Sequence, residues 1–385
     1  MHHNHRTFLH FPRQLQKFKK GIYPLYIAHS IRGFVSSLIG FFIPIYLIKI
    51  GFSLFAILWF FAIYYYFVSL FSITAGAIGN KIGLKHTMII SLPLYLIYLI
   101  GLMFLENHTS YLTFYSLAIF GAFISTLYWT PLYSLFTRLS SDKKRSSQIS
   151  MLLSLRSLSS IIAPIIGGLI SIYFGFSALF ILAILILTIP IIILLNSKDI
   201  TPHLNFSLKD LLIFFKKHTK LFLIIILDSF GTFAEEILWP LFVFLTIQDT
   251  MAVGIVGSLI GVGTILFSLI ISKMIIKQNY MTIIKVSAFM LASSWLIKSF
   301  SNEKISIYTI SLLAAIFGIM FSIPLADNTY KTAKKDKNLD EFIVFKQILA
   351  HFSRFVAVVL TIILIKELQL SFLTTSITYL VISLF

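Results

Sequence analysis

The chain has no cysteine. Disulfides, thiol catalysis and cysteine-ligated metal sites are therefore excluded. Charge is scarce too: only 12% of the residues are Asp, Glu, Lys or Arg. A phosphate-binding glycine loop, a His-Glu-x-x-His and an Asp-rich metal cluster are all missing, which argues against a membrane transferase or hydrolase and leaves no motif for a cofactor. What fills the chain instead is apolar. It is 58% hydrophobic and 16% aromatic, with a mean hydropathy of +0.94. No soluble domain of 385 residues could bury that much apolar surface, so the sequence reads as an integral membrane protein.

Each crossing needs about 20 mainly apolar residues. Twelve such stretches are predicted, near 21–49, 54–78, 86–105, 111–137, 147–173, 176–196, 219–247, 252–276, 280–300, 305–328, 341–365 and 370–385. The first is too long for the core of a signal peptide and has no cleavage pattern, so it reads as a retained helix. The last is shorter than a full crossing, which raises the expectation that the reading frame is incomplete. In this scheme 22 of the 31 Lys and Arg fall on one side, in the N-terminus and the 2–3, 4–5, 6–7, 8–9 and 10–11 connections. Lys49, Lys298, Lys304 and Lys366 fall on the other. Short basic loops stay cytoplasmic, so both termini are expected in the cytoplasm and the protein in the cytoplasmic membrane. The net charge of +17 is thus a topology signal and not a nucleic-acid footprint. His2, His3 and His5 read as incidental terminal residues, not as metal ligands.

Only one connection is long. Residues 196–218 carry a short amphipathic helix, expected to lie on the membrane surface, between an N-terminal bundle (1–195) and a C-terminal bundle (219–385). The two halves repeat each other at an offset of about 200 residues, as in duplicated transporters. Pro44 aligns with Pro240, which sets Arg32 opposite Asp228. Phe120-Gly121 aligns with Phe317-Gly318, which sets Tyr133 opposite Tyr330. Gln148 to Arg156 aligns with Lys346 to Arg354.

The turn between the second and third helices reads Gly76-Ala-Ile-Gly-Asn80-Lys81-Ile-Gly83-Leu-Lys85. Its glycines allow a tight, close-packed connection. This resembles the loop 2–3 signature of the major facilitator superfamily, Gly-x-x-x-Asp-Arg/Lys-x-Gly-Arg/Lys-Arg/Lys. Gly76, Lys81, Gly83 and Lys85 match it; Asn80 replaces the usual Asp, and Leu84 the first of the two basic residues. In the family that Asp holds the outward-open state, so the resemblance implies a gating loop with a weakened latch here. Helix 5 carries Ala163-Pro164-Ile-Ile-Gly167-Gly168. It resembles the Gly-Pro-x-x-Gly-Gly element of proton-coupled drug antiporters in the same superfamily, and it equally suits simple close packing. The resemblance spans essentially the whole chain. It implies an all-α membrane fold of twelve helices in two pseudo-symmetric six-helix bundles, with helices 1, 4, 7 and 10 lining a central cavity.

A charge near the bilayer centre costs about 2.5–3.5 kcal/mol unless it faces the bundle interior, a partner or water. Arg32 lies ~15 Å into helix 1 and shares a face with His29. Helix 7 offers Asp228, Glu235 and Glu236; helix 5 offers Arg156; helix 11 offers His351 and Arg354. Tyr128 and Trp129 on helix 4 could wall the cavity with rings. Asp228 is expected to pair with Arg32 or Arg354 as a structural or gating pair. Glu235 and Glu236 are the expected proton carriers, because adjacent carboxylates disfavour double ionisation.

The leading expectation is a secondary transporter working by alternating access, monomeric, in contact with lipids, and exporting amphipathic compounds in exchange for protons. Uptake or exchange of an organic anion is the alternative, on the arginine count. A transport-inactive receptor or scaffold on the same fold is the second alternative. The topology is checked by labelling a single cysteine placed at Asn107. Modification from outside the cell is expected, and modification only from the cytoplasm rejects the scheme.

Overall fold

The computed structural model describes residues 22–108, 110–141, 144–195, 199–202, 208–277, 279–336 and 338–385. His2, His3 and His5, linker residues 203–207 and the Arg156 side chain lie outside the described residues. The described regular elements are helical. Helices α1 (Tyr23–Lys49), α2 (Leu54–Ile82), α3 (Leu84–Asn107), α4 (Tyr111–Leu139), α5 (Arg145–Tyr173) and α6 (Gly175–Leu195) form the first half. Helices α7 (219–247), α8 (Thr250–Lys277), α9 (Tyr280–Phe300), α10 (Lys304–Lys335), α11 (Leu339–Ile363) and α12 (Leu368–Leu384) form the second. Among the described residues ten of these are long and apolar enough to cross a membrane, α1 counted across its internal turn. The other two are α7, which a π segment divides, and α12, which is short.

Proline explains the interruption. Its ring clashes with the carbonyl four residues earlier and it donates no hydrogen bond. In α7 the residue four before Pro240 is Glu236, and the helix widens into a π segment over Ala234–Leu238 before resuming at Trp239–Ile247. In α1 the residue four before Pro44 is Gly40. There the chain turns between Tyr23–Ile39 and Ile43–Lys49. Irregular backbone thus stands just before both aligned prolines, and both stretches line the central cavity.

The halves meet along α5 against α8 and α2 against α11. The first seam is built from small residues. A Cβ at Gly254 would lie 2.8 Å from the Pro164 carbonyl oxygen, and one at Gly261 would lie 2.8 Å from the Ser160 carbonyl carbon. Such backbone proximity is how helices adhere where lipid removes the hydrophobic drive between them. Gly167 packs against the Leu38 carbonyl and Phe42 of α1, and Gly168 against Met251 of α8. Ala163 is fully buried. Ser154 and Ser268 bridge the same seam through their hydroxyls, 2.5 Å apart. Around the outside, α3, α6, α9 and α12 expose Ile97, Leu185, Ile297 and Ile377. Such outward apolar side chains suit a lipid environment.

The linker helix (Leu208–Lys217) buries Phe214 against Phe342 and Phe345 of α11 and exposes Leu212 and Ile213. Lys217 Nζ donates to Asp336 Oδ2 at 2.8 Å. Burial alone would push the Asp336 carboxyl up, but bonds from Lys217 and the Asn338 amide outweigh it and hold it below the usual carboxylate range. That contribution is present above about pH 3.9 and is lost as pH falls through the lowered value.

The seam predicts a contrast between two glycines. Gly261→Ala must push α5 and α8 apart and is expected to cost about 1–3 kcal/mol. Gly318→Ala meets nothing within 4 Å and should be silent. Thermal unfolding of both variants in detergent measures this, and equal midpoints would contradict the seam.

Candidate functional site

Between the halves lies a cavity of about 620 Å³. Its wall from the first half is aromatic around one cation. The Arg32 guanidinium sits 3.8 Å from the Tyr128 ring centroid, 5.2 Å from Tyr95 and 5.5 Å from Trp129. Such contacts are each worth about 0.5–2 kcal/mol, more when water is excluded. Arg32 is only 6% exposed, and its Nε has no hydrogen-bond partner. No carboxylate stands within ion-pair distance of it among the described residues. His29 and Tyr128 form a second layer behind: His29 Nδ1 and the Tyr128 hydroxyl are 3.2 Å apart, and the His29 ring stands edge-on to Trp129. Arg32, Trp129, Tyr64 and Tyr65 line the cavity.

The wall from the second half carries the carboxylates, and the structure corrects their expected partners. Asp228 does not pair with Arg32 or Arg354. Its Oδ1 accepts a hydrogen bond from the Tyr379 hydroxyl of α12 at 2.9 Å. Arg354 instead stands 3.5 Å from Glu236 Oε2. Glu235 is not a free carboxylate either: Lys298 Nζ donates to its Oε2 at 2.5 Å. Lys298 is corrected as well. Counted by sequence to the outer side, it does lie in the last turn of α9, but fully buried, with its ammonium 4.0 Å from the Trp295 ring centroid and 4.6 Å from that of Trp239. The π segment presents both glutamates to the cavity, and Trp239 is fixed by donating from Nε1 to Ser311 Oγ at 2.9 Å. From α11, Lys346 lies 4.4 Å from the Tyr133 ring centroid and reaches Gln347 Oε1 at 3.4 Å. His351 stacks on Tyr65, with its Nδ1 buried and unpartnered.

At the basic side of the bundle the halves are clasped. Arg138 at the end of α4 forms an ion pair with Asp340 at the start of α11. Lys334 Nζ donates to the Ser140 carbonyl at 2.6 Å. Tyr330 meets Tyr133 at 6.3 Å and Phe136 at 5.3 Å between ring centroids, so one of the aligned tyrosine pairs closes on itself. On the opposite side Lys49 Nζ bridges to Thr250 Oγ1 at 2.9 Å.

The architecture agrees with the family profile of the Major Facilitator Superfamily, which matches residues 25–339. The chain belongs to the major facilitator superfamily. Among solved structures, the human organic anion transporter MFSD10 superposes with a TM-score of 0.67 at 12% identity, covering 94% of this chain and 98% of that one. The fucose:proton symporter FucP of E. coli gives 0.69 at 13% identity, covering 94% and 96%. These likenesses show the fold. No curated protein matches the sequence.

The facilitator signature turn is a one-residue joint. Helix α2 ends at Ile82, Gly83 adopts φ +95°, and α3 starts at Leu84. Gly76 and Lys85 are buried, Lys81 is exposed and Asn80 is half-buried. A carboxylate is present at this joint after all, although not at position 80. Asp199, just beyond α6, accepts from the Lys85 amide at 2.7 Å and the His86 amide at 3.2 Å, and contacts the His86 ring. It caps the positive end of α3. Sequence reading missed Asp199 because it lies 114 residues from Lys85 and belongs to no local pattern.

The Glu235–Lys298 pair gives a stability prediction. Lys298→Met leaves Glu235, half-buried at the cavity wall, without its cation and is expected to cost about 1–3 kcal/mol, the penalty of an unpaired polar group. Adding Glu235→Gln should recover most of that loss. Thermal unfolding of the two variants tests it; a double variant no more stable than Lys298→Met would contradict the pairing.

Proposed function

We propose that this protein is a secondary transporter that moves a small organic anion with a ring or other planar body across the cytoplasmic membrane by alternating access. The observation that carries the reading is Arg32. A guanidinium in an aromatic cage, lining a cavity and with no carboxylate in ion-pair distance among the described residues, is built to receive a negative group from outside the protein. The rings of Tyr95 and Trp129 offer an apolar surface beside it. Lys346 adds a second cation whose described contacts are a ring and an amide. Two of the three carboxylates that line the cavity are already engaged by cations, Glu235 by Lys298 and Glu236 by Arg354.

Export of amphipathic compounds in exchange for protons rests on the helix 5 element. That element packs α5 against α1 and α8, so its role here is accounted for by helix contact. The monomer is a sufficient unit, since the cavity is complete within one chain.

Counterflow in proteoliposomes tests the reading, with full-length protein and matched probes: benzoate and salicylate as anions, benzylamine as a cation, glucose as a neutral solute. The aromatic carboxylates are expected to exchange. Arg32→Gln should weaken their apparent affinity about tenfold to a hundredfold, the worth of a hydrogen bond to a charged group. Selective exchange of benzylamine, or carboxylate exchange indifferent to Arg32, would overturn it.

A further inference from the structure

We propose that Asp228, and not the glutamate pair, is the carboxylate that exchanges a proton with the cavity, and that it competes with the transported anion for the positive field of Lys346 and Arg354. The proposal rests on the organic-anion reading above. Its starting point is the chemistry of each carboxylate's partner. Protonating Glu235 would strand Lys298, which is fully buried between two tryptophans. An uncompensated buried charge is among the costliest defects a fold can carry. Protonating Glu236 would remove the carboxylate nearest Arg354. Asp228 is different. Its described hydrogen-bond partner is a neutral hydroxyl, so it can gain or lose a proton without breaking an ion pair. It also lines the cavity, where water can deliver the proton.

The contact is a built one. Tyr379 reaches Asp228 across Gly231, one turn further along α7. A Cβ at Gly231 would collide with the tyrosine hydroxyl, so the hydrogen bond exists only over a glycine. The hydroxyl can donate to the carboxylate and can also accept from the protonated acid, so it serves both states.

The charged and titratable groups around Asp228 fix the direction of the linkage. Tyr379 faces it from α12. Lys346, His351 and Arg354 come from α11, and Glu235 and Glu236 follow on α7 itself. Lys346 and Arg354 stand beyond contact but within electrostatic reach of Asp228. An ionised Asp228 therefore offsets the two cations that would otherwise act on an incoming anion. Once a proton from cavity water binds a carboxylate oxygen of Asp228, that offset is lifted, and the anion meets Lys346 and the part of the Arg354 field that Glu236 leaves. Proton and anion thus bind with positive coupling, and each raises the other's affinity by the same factor. Above the Asp228 midpoint, anion affinity falls by up to tenfold per pH unit, the limit for one linked proton. The transported unit is one anion together with one proton.

Infrared difference spectroscopy of full-length protein in lipid, labelled with [4-13C]aspartate and titrated from acid to alkaline pH without any substrate, tests the assignment. One labelled carboxylic-acid band, over and above those of the other seven aspartates, is expected to disappear as pH rises. It should be absent in Asp228→Asn, whose amide keeps an acceptor for Tyr379, and retained in the Glu235→Gln/Glu236→Gln double variant. Tyr379→Phe should move its midpoint by about one pH unit, the worth of a bond to a charged group. Survival of the band in Asp228→Asn, its loss in the glutamate variant, or no titrating aspartate band in the parent would each overturn the proposal. None of these readings depends on which solute is carried, so a failed anion assay and a failed proton assignment remain separable.

Discussion

An ionised side chain inside a bilayer must find an opposite charge, a ring face, a hydrogen bond or water, and this protein uses the first three within one cavity. Arg32 is held by rings. Glu235 and Lys298 are held by each other, with tryptophans closing the ammonium off. Asp228 is held by a hydroxyl. These solutions are not equivalent. A closed ion pair fixes structure and resists change. A charge caged by rings, or bonded to a neutral group, keeps capacity for a ligand or a proton. The division of labour in the site follows from that difference.

The backbone serves the same end. Pro44 and Pro240, at matching positions of the two halves, each remove a helical hydrogen bond, and the irregular turns that precede them fall beside the cavity. In α7 the added residue of the π segment turns Glu235 and Glu236 toward the interior. Irregular backbone is tolerated at membrane depth only where protein or a cavity surrounds it. The remaining helices supply rigidity, above all through the small-residue seam between α5 and α8. There Gly254 and Gly261 let the backbones of two halves touch, and Gly257 admits the rings of Phe41 and Pro164.

Much of this was legible in the sequence. The twelve spans follow from hydropathy. The two-half organisation follows from the aligned prolines, tyrosines and basic residues, and the family resemblance from Gly76, Lys81, Gly83 and Lys85. The charged positions that line the cavity were also visible, because charge within an apolar span is conspicuous. Partner choice was not. Asp228 looked like the mate of an arginine because charge was weighed and the tyrosine of α12, 151 residues away, was not. Lys298 looked like a solvated residue at the outer end of its span because a basic side chain near a helix end ordinarily reaches for water. Here two tryptophans and Glu235 draw it inward. Asp199 was invisible for the same reason as Tyr379: long-range hydrogen bonds leave no periodic trace. The π segment could have been inferred from Pro240, since Pro44 posed the same problem in the first half.

The central claim is that the cavity recognises a negative group at Arg32. A structure of the full-length protein determined in lipid with 4-iodobenzoate, whose heavy atom marks its own position, tests this most directly. The account predicts the carboxylate against the Arg32 guanidinium, with the iodinated ring beside Tyr95 and Trp129. A carboxylate seated elsewhere in the cavity, with Arg32 still untouched in its cage, would contradict it.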